Sequence, residues 1–250
     1  MIDLHCHLMP GVDDGSRSVE QSVGVLRKMA ELGITDVCLT PHLLASRAAA
    51  GVPPAHDRAF DALRAAAPPA VRLHRGAEVM LDRPVSSEIR AFTLAGSRYL
   101  LVEFPRLIAD ESVRNALRSV TELGLVPLVA HPERYSSCSA TAAYRWRETG
   151  AKLQVDATTL LSPQARGERA RRLVAHGLAD IIAADNHGDD RQVAAGCELL
   201  RSRGGEVQAE LLGTRNPAAI LEDRELEPVP PLVLKDGWFR RFRRLFAGES

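Results

Sequence analysis

Two histidines separated by one residue, His5 and His7, end the first apolar segment of the chain. Alternate side chains of an extended strand point to the same face, so both imidazoles would face the same space. Asp185 and His187 repeat this spacing after the last apolar segment. Imidazole and carboxylate groups without thiolate are suitable ligands for Zn, Mn or Fe. The two pairs therefore predict a metal site.

Other potential ligands also follow apolar segments that are rich in Val, Ile or Leu. They are His42, Glu78, Glu103 and His131. In a (β/α) barrel the carboxyl ends of the strands gather on one rim, so these side chains would meet in one small space. Such a concentration of charge is costly unless cations neutralise it. Because the candidates exceed the needs of one ion, we expect two or three divalent metal ions.

Each candidate taken alone has a plainer interpretation. A single histidine at a strand end is usually a hydrogen-bonded core residue, and one His-x-His pair arises by chance. Glu103 alone would serve as a helix cap, and Asp13-Asp14-Gly15 is either a turn or a pair of carboxylates beside His7. The metal interpretation is preferred because the plainer ones would have to apply to six strand ends at once.

Clustered metal ions are suited to the hydrolysis of phosphate esters, because they generate hydroxide and hold the oxygens of an in-line displacement. A phosphate also needs positive side chains, and arginine pairs with it through two parallel hydrogen bonds. Arg134 follows His131 by three residues, and Arg191 follows His187 by four. Both are candidates for phosphate binding, and the alternative for either is a solvated residue at a helix start.

The segments that must position these residues alternate between short apolar runs and amphipathic stretches. The runs are roughly 2–7, 34–40, 71–78, 98–103, 125–130, 151–156 and 179–184. The clearest helix is expected over about 18–32, where Ser18 and Gln21 make a capping box and Gly33 ends the helix. Further helices are expected over about 111–123, 164–176 and 189–203. Seven repeats of strand and helix predict an α/β fold, and the lack of a glycine-rich dinucleotide motif favours a closed parallel barrel.

The composition limits the class of protein. The 250 residues suit one globular domain, and 32 basic residues balance 32 acidic ones, so we expect no nucleic-acid partner. The four cysteines form no CxxC pair, which argues against a thiolate zinc site. Together with the lack of a signal peptide, they predict a cytoplasmic protein. No apolar run of about 18 residues is present to span a membrane.

Several motifs resemble those of the PHP (polymerase and histidinol phosphatase) superfamily, and more narrowly its bacterial tyrosine-protein phosphatases of capsule and exopolysaccharide gene clusters. The motifs are IDLHCH at 2–7, PGVDDG at 10–15, TPH at 40–42, GAEV at 76–79, VEFP at 102–105, HPERY at 131–135, DNH at 185–187 and NP at 216–217. The similarity spans about residues 1–222, and HPERY and PGVDDG are specific to this branch. It implies a distorted (β/α)7 TIM-like barrel, the PHP fold, over residues 1–226.

The resemblance also implies three metal ions, manganese in the first place, with iron or zinc as alternatives. His5, His7 and Asp185 would hold the first ion, and Glu78 would bridge it to a second ion that His131 also binds. The remaining implied ligands, around a third ion and the shared centre, are Asp14 (with Asp13 in reserve), His42, His187 and Glu103.

The implied activity is the hydrolysis of phosphotyrosine on a protein partner, expected to be a tyrosine kinase that controls capsule or exopolysaccharide synthesis. Arg134, Arg191 and His131 are the expected catalytic residues, with the two arginines binding the phosphate while a metal-bound hydroxide attacks phosphorus. Two alternatives stay open. One is a related phosphoesterase acting on small phosphate monoesters such as histidinol phosphate, and the other is a metal-binding regulatory module without turnover.

The sequence departs from the family pattern at three places near the expected site. Residues 43–54 are rich in alanine and lack the expected aromatic and polar residues, which puts substrate specificity in question. Asp156 stands where the family usually has asparagine, and it either adds a carboxylate near the metals or caps a helix. Asp189 and Asp190 place two acids beside the phosphate pocket, where they would weaken phosphate binding by repulsion.

Residues 227–250 are expected to form a proline-rich linker and a basic amphipathic tail. Four arginines between residues 240 and 244 are interspersed with apolar residues that share one face at helical spacing. These apolar residues are Trp238, Phe239, Phe242, Leu245 and Phe246. Two roles are open for the tail: docking on the barrel or on another subunit of a homo-oligomer, and peripheral contact with an anionic membrane.

Overall fold

A computed structural model describes residues 1–234, which contain nine strands and eight α-helices. The strands are β1 Ile2–Cys6, β2 Asp36–Leu39, β3 His42–Leu44, β4 Arg72–Arg75, β5 Glu78–Met80, β6 Tyr99–Glu103, β7 Val126–Ala130, β8 Lys152–Asp156 and β9 Ile181–Ala183. The helices are α1 Val19–Glu31, α2 Pro54–Ala66, α3 Asp110–Thr121, α4 Ala140–Glu148, α5 Ala165–Ala175, α6 Val193–Arg201, α7 Glu206–Glu210 and α8 Asn216–Leu221. Every predicted apolar run contains a strand, and the predicted α/β class is confirmed.

All strand pairs are parallel, but they are divided between two sheets, ordered β1-β2-β4 and β3-β5-β6-β7-β8-β9. The division follows Thr40-Pro41 and Gly76-Ala77, which separate β2 from β3 and β4 from β5. Proline lacks the N–H that a strand ladder needs. The strand pair nevertheless continues past the break, because the Glu78 N–H donates to the Pro41 carbonyl at 3.1 Å. Seven predicted runs therefore become nine strands.

The first and last strands also meet at their carboxyl ends. Cys6 and Asn186 form a parallel bridge, and the His7 N–H donates to the Asn186 carbonyl at 2.7 Å. The Ala184 N–H donates to the buried Asp3 carboxylate at 3.1 Å. Within residues 1–234 the strands form no single closed sheet, and these contacts join the outer strands of the two sheets.

Alternate strand residues build two separate apolar cores. One set faces the helices, with Leu100 and Val102 of β6 as examples. The other set comes from strands of both sheets and forms an inner cluster, which α8 completes. Its members are Ile2, Leu4, Cys38, Leu94, Tyr99, Leu101, Leu128, Ala130, Ile181 and Ile220. The inner cluster therefore packs the two sheets against each other.

Helix α1 begins and ends where its sequence predicts. The Ser18 hydroxyl accepts the Gln21 N–H at 3.2 Å, which is half of the predicted capping box. The Gln21 side chain instead accepts from the Arg17 N–H and donates to the Gly188 carbonyl, both at 2.9 Å. Gly33 follows the helix at φ 80°, a conformation that glycine adopts without strain. α1 is thus attached to the loop that follows β9.

Helix α6 begins at Val193, so the predicted start at residue 189 was too early. The Asn186 side chain explains the difference. Its amide donates to the Asp189 and Arg191 carbonyls, and its oxygen accepts the Gly188 N–H at 2.8 Å. These bonds fold residues 186–191 into a compact loop instead of a first helical turn.

Residues 227–234 follow α8 and lie against the body of the protein. Val229 and Leu234 are buried, and the Leu232 N–H donates to the Val174 carbonyl at 3.2 Å. The domain boundary after residue 226 stays a prediction, and the basic tail lies beyond residue 234, outside the described residues. No helix of residues 1–234 is long and apolar enough to cross a membrane.

Candidate metal centre

The nine predicted ligands lie together at the carboxyl ends of β1, β6, β7 and β9, at the first residues of β3 and β5, and in the loop after β1. Seven of them line one cavity of about 270 Å³. His5 and His7 are fully buried among these ligands, within 3.4 Å of Glu78 and Asp185. Parallel strands bring residues that are far apart in sequence to the same rim, as the sequence pattern predicted.

Eight of the nine ligands form three overlapping groups, which do not include His131, and within each group the candidate atoms lie within 4.8 Å of one another. The groups are His5, His7, Glu78 and Asp185; His7, Asp14, His42 and His187; and His42, Glu78 and Glu103. Glu78 is central. Its Oε2 lies 3.3 Å from His5 Nε2 and 3.0 Å from His42 Nδ1, and its Oε1 lies 2.8 Å from His131 Nε2.

The chemistry of the donors limits how these groups share ions. A neutral imidazole has one free lone pair, whereas a carboxylate can bridge two ions through its two oxygens. The Nδ1 of His7 lies 2.7 Å from Asp13 Oδ2 and donates to it, so only its Nε2 is free for an ion. That atom lies 3.4 Å from Glu78 and 3.3 Å from Asp185. His7 would therefore share an ion with these two carboxylates, and the two oxygens of Glu78 lie close enough to different histidines to serve two ions.

The adjacent acids Asp13 and Asp14 are separated by the structure. Asp14 Oδ1 lies 3.3 Å from His42 Nε2 and 3.4 Å from His187 Nε2, among the potential ligands. Asp13 lies behind His7 and orients its ring. Asp14 is thus the acid that faces the other ligands, and Asp13 supports them.

Buried polar atoms test whether cations fit this site. Among the described residues, Glu78 Oε2, Asp185 Oδ1 and His131 Nδ1 are buried without a hydrogen-bond partner. Histidine nitrogens lie 3.0 to 3.5 Å from the two carboxylate oxygens without forming a hydrogen bond to them, and buried charged oxygens without hydrogen bonds are costly. Divalent ions placed between the carboxylates and the imidazoles would satisfy them, so these residues fit the predicted metal ions.

The protonation of the site also favours cations. Burial raises the pKa of Glu78, but the neighbouring His5 and His131 outweigh this and lower it well below its usual range. Burial lowers the pKa of His42, but its hydrogen bond with Glu103 and its contacts with Glu78 raise it to about 10. A lowered pKa of Glu78 favours its ionised form and a raised pKa of His42 favours its protonated form, so a metal ion that bound His42 would displace a proton.

Two of the ligands have a strained backbone. His131 and Asp185 have φ angles of 33° and 51°, in the left-handed region that non-glycine residues rarely adopt. Each costs roughly 1–3 kcal/mol, and such strain concentrates at functional sites. Both residues follow directly or closely on a strand, β7 or β9, where the chain turns over the cavity.

Gln154 supports the centre and was missed by the sequence pattern. Its Oε1 lies 3.0 Å from His5 Nδ1 and accepts the His131 N–H at 3.3 Å. It is fully buried in β8. The signal in the sequence was a single amide in a mainly apolar segment, because a buried amide requires a hydrogen-bond partner.

Arg134 lines the cavity and is held by two carboxylates. Its Nη2 donates to Asp156 Oδ2 and to Asp185 Oδ2, each at 2.6 Å. Asp156 Oδ1 accepts the N–H groups of Thr158 and Thr159 at 2.8 and 3.0 Å. Asp156 therefore combines the two roles considered for it, since it lies beside the ligands and also caps a turn.

Arg191 lines the same cavity. Its Nε donates to Asp189 Oδ2 at 2.8 Å, and its Nη1 lies 3.5 Å from Asp185 Oδ2. Asp190 points elsewhere and pairs with Lys28 at 2.8 Å. Asp189 thus orients the arginine, and Asp190 does not line the cavity.

Arg106 also lines the cavity, although the sequence pattern did not indicate it. It follows Glu103 by three residues, as Arg134 follows His131, and this repeated spacing was the signal. A larger cavity of about 530 Å³ lies between Cys138 and helix α5. None of the nine predicted ligands lines it, so it is separate from the metal chemistry.

Parallel strands that carry histidines and carboxylates to one rim, beside Arg106, Arg134 and Arg191, define an α/β protein with a candidate metal centre. The chain matches the family described as capsular polysaccharide synthesis, CpsB/CapC, over residues 1–222. It belongs to this family, and the resemblance found in the sequence is confirmed.

Two similar relatives are tyrosine-protein phosphatases. The chain is 26% identical over 247 residues to the tyrosine-protein phosphatase YwqE of Bacillus subtilis (strain 168), covering 94% of this chain and 97% of the relative. It is 26% identical over 244 residues to the tyrosine-protein phosphatase CpsB of Streptococcus pneumoniae, covering 90% and 99%. A chain from the crystal structures of YwqE and CpsB, described as unique metal-dependent tyrosine phosphatases, has a TM-score of 0.79 at 25% identity. It matches over 94% of this chain and 100% of that chain.

Proposed function

We propose that the protein is a metal-dependent protein-tyrosine phosphatase. The observation that carries the proposal is that three groups of metal ligands surround one cavity into which Arg134 and Arg191 also project. Phosphate is recognised by both kinds of partner, because cations offset its charge and guanidinium groups pair with its oxygens. The family and the names of its relatives support the same activity.

The ions are manganese in the first place, with iron or zinc as alternatives, because the ligands suit all three. His5, His7 and Asp185 would hold one ion, and Glu78 would be shared between that ion and a second one. The residues that would complete the second site and surround a third ion are His131, Glu103, Asp14, His42 and His187. When bound, the ions lower the pKa of water to supply a nucleophile and offset the charge of the phosphate.

The protein's own side chains bind and orient the substrate. Burial lowers the pKa of Arg134, but Asp185 and Asp156 outweigh this and raise it above its ordinary value. The guanidinium is therefore charged at every working pH, and its carboxylate partners fix it beside the ligands. Arg191 lies in the loop between β9 and α6, where Asp189 orients its guanidinium group. The tyrosine phenolate that leaves is fairly stable, so a strong general acid is unnecessary.

The two sheets are proposed to work as one distorted seven-stranded barrel, the PHP fold, over residues 1–226. The inner cluster built from both sheets and the bridge between Cys6 and Asn186 support this architecture. The proposed partner is a phosphotyrosine protein in the cytoplasm, a tyrosine kinase of capsule or exopolysaccharide synthesis. The family description supports the link to capsules.

A metal-depletion experiment tests the function. The protein is stripped with a chelator and assayed on a phosphotyrosine peptide, then restored ion by ion. We expect activity to disappear and to return with manganese, iron or zinc. His131→Ala should abolish hydrolysis of p-nitrophenyl phosphate, while His176→Ala, at the end of α5 and outside the centre, should leave it unchanged.

The same assay distinguishes the alternatives. Full activity of His131→Ala would refute the assignment of the centre. Faster turnover of small alkyl monoesters than of the peptide would indicate the related phosphoesterase. Tight metal binding without turnover of any ester would indicate a regulatory module.

A further inference from the structure

A second cavity, of about 420 Å³, opens beside the metal centre. It is lined by His42, Leu43, Leu44, Met80 and Glu103. His42 and Glu103 also line the cavity of the metal centre, so the two spaces are adjacent and share a wall. One space is bordered by charged ligands and arginines, and the other is mainly apolar.

Strand pairing explains why an apolar surface lies at this point. β3 and β5 are parallel, with His42 opposite Glu78 and Leu44 opposite Met80. Alternate residues of a strand share one face, so the apolar pair lies on the same face as the two ligands. With a rise of about 3.3 Å per residue, the apolar pair lies about 6.6 Å from the two ligands along the strands.

The apolar pair remains open to solvent. Leu44 is 46% exposed and Met80 is partly exposed, whereas Val79 between the ligand and Met80 is fully buried. An exposed leucine is by itself ordinary. Here, however, two facing apolar side chains border a cavity that adjoins the candidate metal centre, and covering them with an apolar ligand group is favourable.

The loops that follow the two strands hold this surface in place. The short helix Ala45–Ala50 begins directly after Leu44, and its Ser46 N–H donates to the Asp82 carboxylate at 2.9 Å. Asp82 follows Met80 by two residues, so this bond joins the two loops. Of the apolar residues that line the cavity, Leu43 is buried, whereas Leu44 and Met80 are open to solvent.

We propose that Leu44 and Met80 bind the aromatic ring of the phosphorylated side chain and make the protein selective for aryl over alkyl phosphates. This inference rests on the proposed phosphatase function. In phosphotyrosine the ring is attached directly to the ester oxygen, so a phosphate in the metal cavity brings the ring against the adjoining surface. Methionine is suited to this contact because its thioether packs well on aromatic rings. Phosphoserine offers no apolar group at that distance.

Binding and kinetics test the subsite in the metal-loaded protein. Phenylphosphonate and methylphosphonate are the probes for binding, and phenyl phosphate and ethyl phosphate are the substrates. Leu44→Ala and Met80→Ala should each weaken phenylphosphonate binding about tenfold and raise KM for phenyl phosphate by a similar factor. Values for the methyl and ethyl compounds should change less than about twofold, and Leu44→Met should restore aryl binding.

A matched control is available at Leu32, which is also 46% exposed but lies at the end of α1, away from both cavities. Leu32→Ala should change neither probe. The inhibition constant of inorganic phosphate should be the same in all variants, because it needs only the metal cavity.

Other results of these experiments would contradict either the aryl subsite or the proposed phosphatase function. Equal losses for aryl and alkyl compounds, or weaker binding of inorganic phosphate, would give Leu44 and Met80 a structural role only and overturn the subsite. A loss confined to phosphoprotein substrates would overturn it in favour of a wider docking surface. Wild-type protein that hydrolyses neither ester would contradict the proposed function, while the binding probes would still decide the subsite.

Discussion

Asp13 and Asp14 are neighbours in the chain, yet they act at different distances from the candidate ions. Asp14 lies among the ligands, whereas Asp13 accepts from the His7 ring and from the backbone N–H groups of Gly15 and His42. The sequence could predict an acidic pair beside His7, but it could not separate the two roles. Only the path of the loop decides which carboxylate faces the cavity.

The different roles of the two acids predict different losses. Asp13→Ala should lower metal affinity about 10–100-fold, because the His7 ring loses the acceptor that orients it. Asp14→Ala should reduce the number of tightly bound ions, because it removes a ligand. Both are measured by metal titration of the stripped protein.

Asp190→Ala is the control for these variants, since Asp190 pairs only with the exposed Lys28. It should bind metal as the wild type does. If Asp13→Ala also bound metal with unchanged affinity, a supporting role for Asp13 would be wrong.

At the scale of single residues, the sequence predicted the ligands better than their supports. A histidine or carboxylate directly after an apolar run stands out, and Glu78 and His131 were predicted in this way. Gln154 did not stand out because its partners, His5 and His131, are far away in sequence and become neighbours only when strands pair.

At the scale of elements, the loop between β1 and α1 is packed tightly against the end of β1. The Ser16 N–H donates to the His7 carbonyl at 2.9 Å. A Cβ atom added at Gly15 would lie only 2.0 Å from that same carbonyl oxygen. Glycine is therefore required for the close approach of the loop that carries Asp13 and Asp14.

This packing predicts that Gly15→Ala displaces the loop. We expect a loss of stability of about 1–3 kcal/mol, typical of overpacking, together with a loss of bound metal. Denaturant unfolding and metal analysis of the purified variant measure both effects.

Gly24 in the middle of α1 is the matched control, because no atom lies within 4 Å of a Cβ added there. Gly24→Ala should raise stability by about 0.5–1 kcal/mol, since alanine favours a helix. If both variants were equally stable, the close contact at Gly15 would not matter.

The elements themselves were largely predictable, because apolar runs and helical spacing are local properties. Two features were not predicted, namely the break in the strands at Pro41 and the late start of α6. Pro41 and Gly76-Ala77 interrupt two neighbouring strands at the same level, and the Asn186 side chain competes with the first turn of α6. Such choices depend on hydrogen bonds that form only in the folded chain.

At the scale of the whole molecule, basic and acidic residues are equal in number, but four arginines lie close together in the tail. Residues 238–246 combine four arginines with five apolar residues, although they lie outside the described part of the structure. Deleting residues 235–250 should abolish co-sedimentation with anionic liposomes, if the tail contacts membranes. Hydrolysis of phenyl phosphate should be unchanged, because the metal centre lies within residues 5–187.

Neutral liposomes are the control for this deletion, since they offer no electrostatic attraction to arginine. Equal sedimentation of the full-length and shortened proteins with anionic liposomes would end the membrane hypothesis. A change from oligomer to monomer on deletion would instead favour docking on another subunit.

The contact between the first and last strands has a consequence for biosynthesis. His5 and His7 come before Asp185 and the Asn186 carbonyl in the chain, so they are translated before the groups that complete their surroundings. His7 can meet Asp13 early, but neither histidine reaches Asp185 until β9 has been translated and has packed against β1. The candidate set of ligands is therefore complete only late in translation.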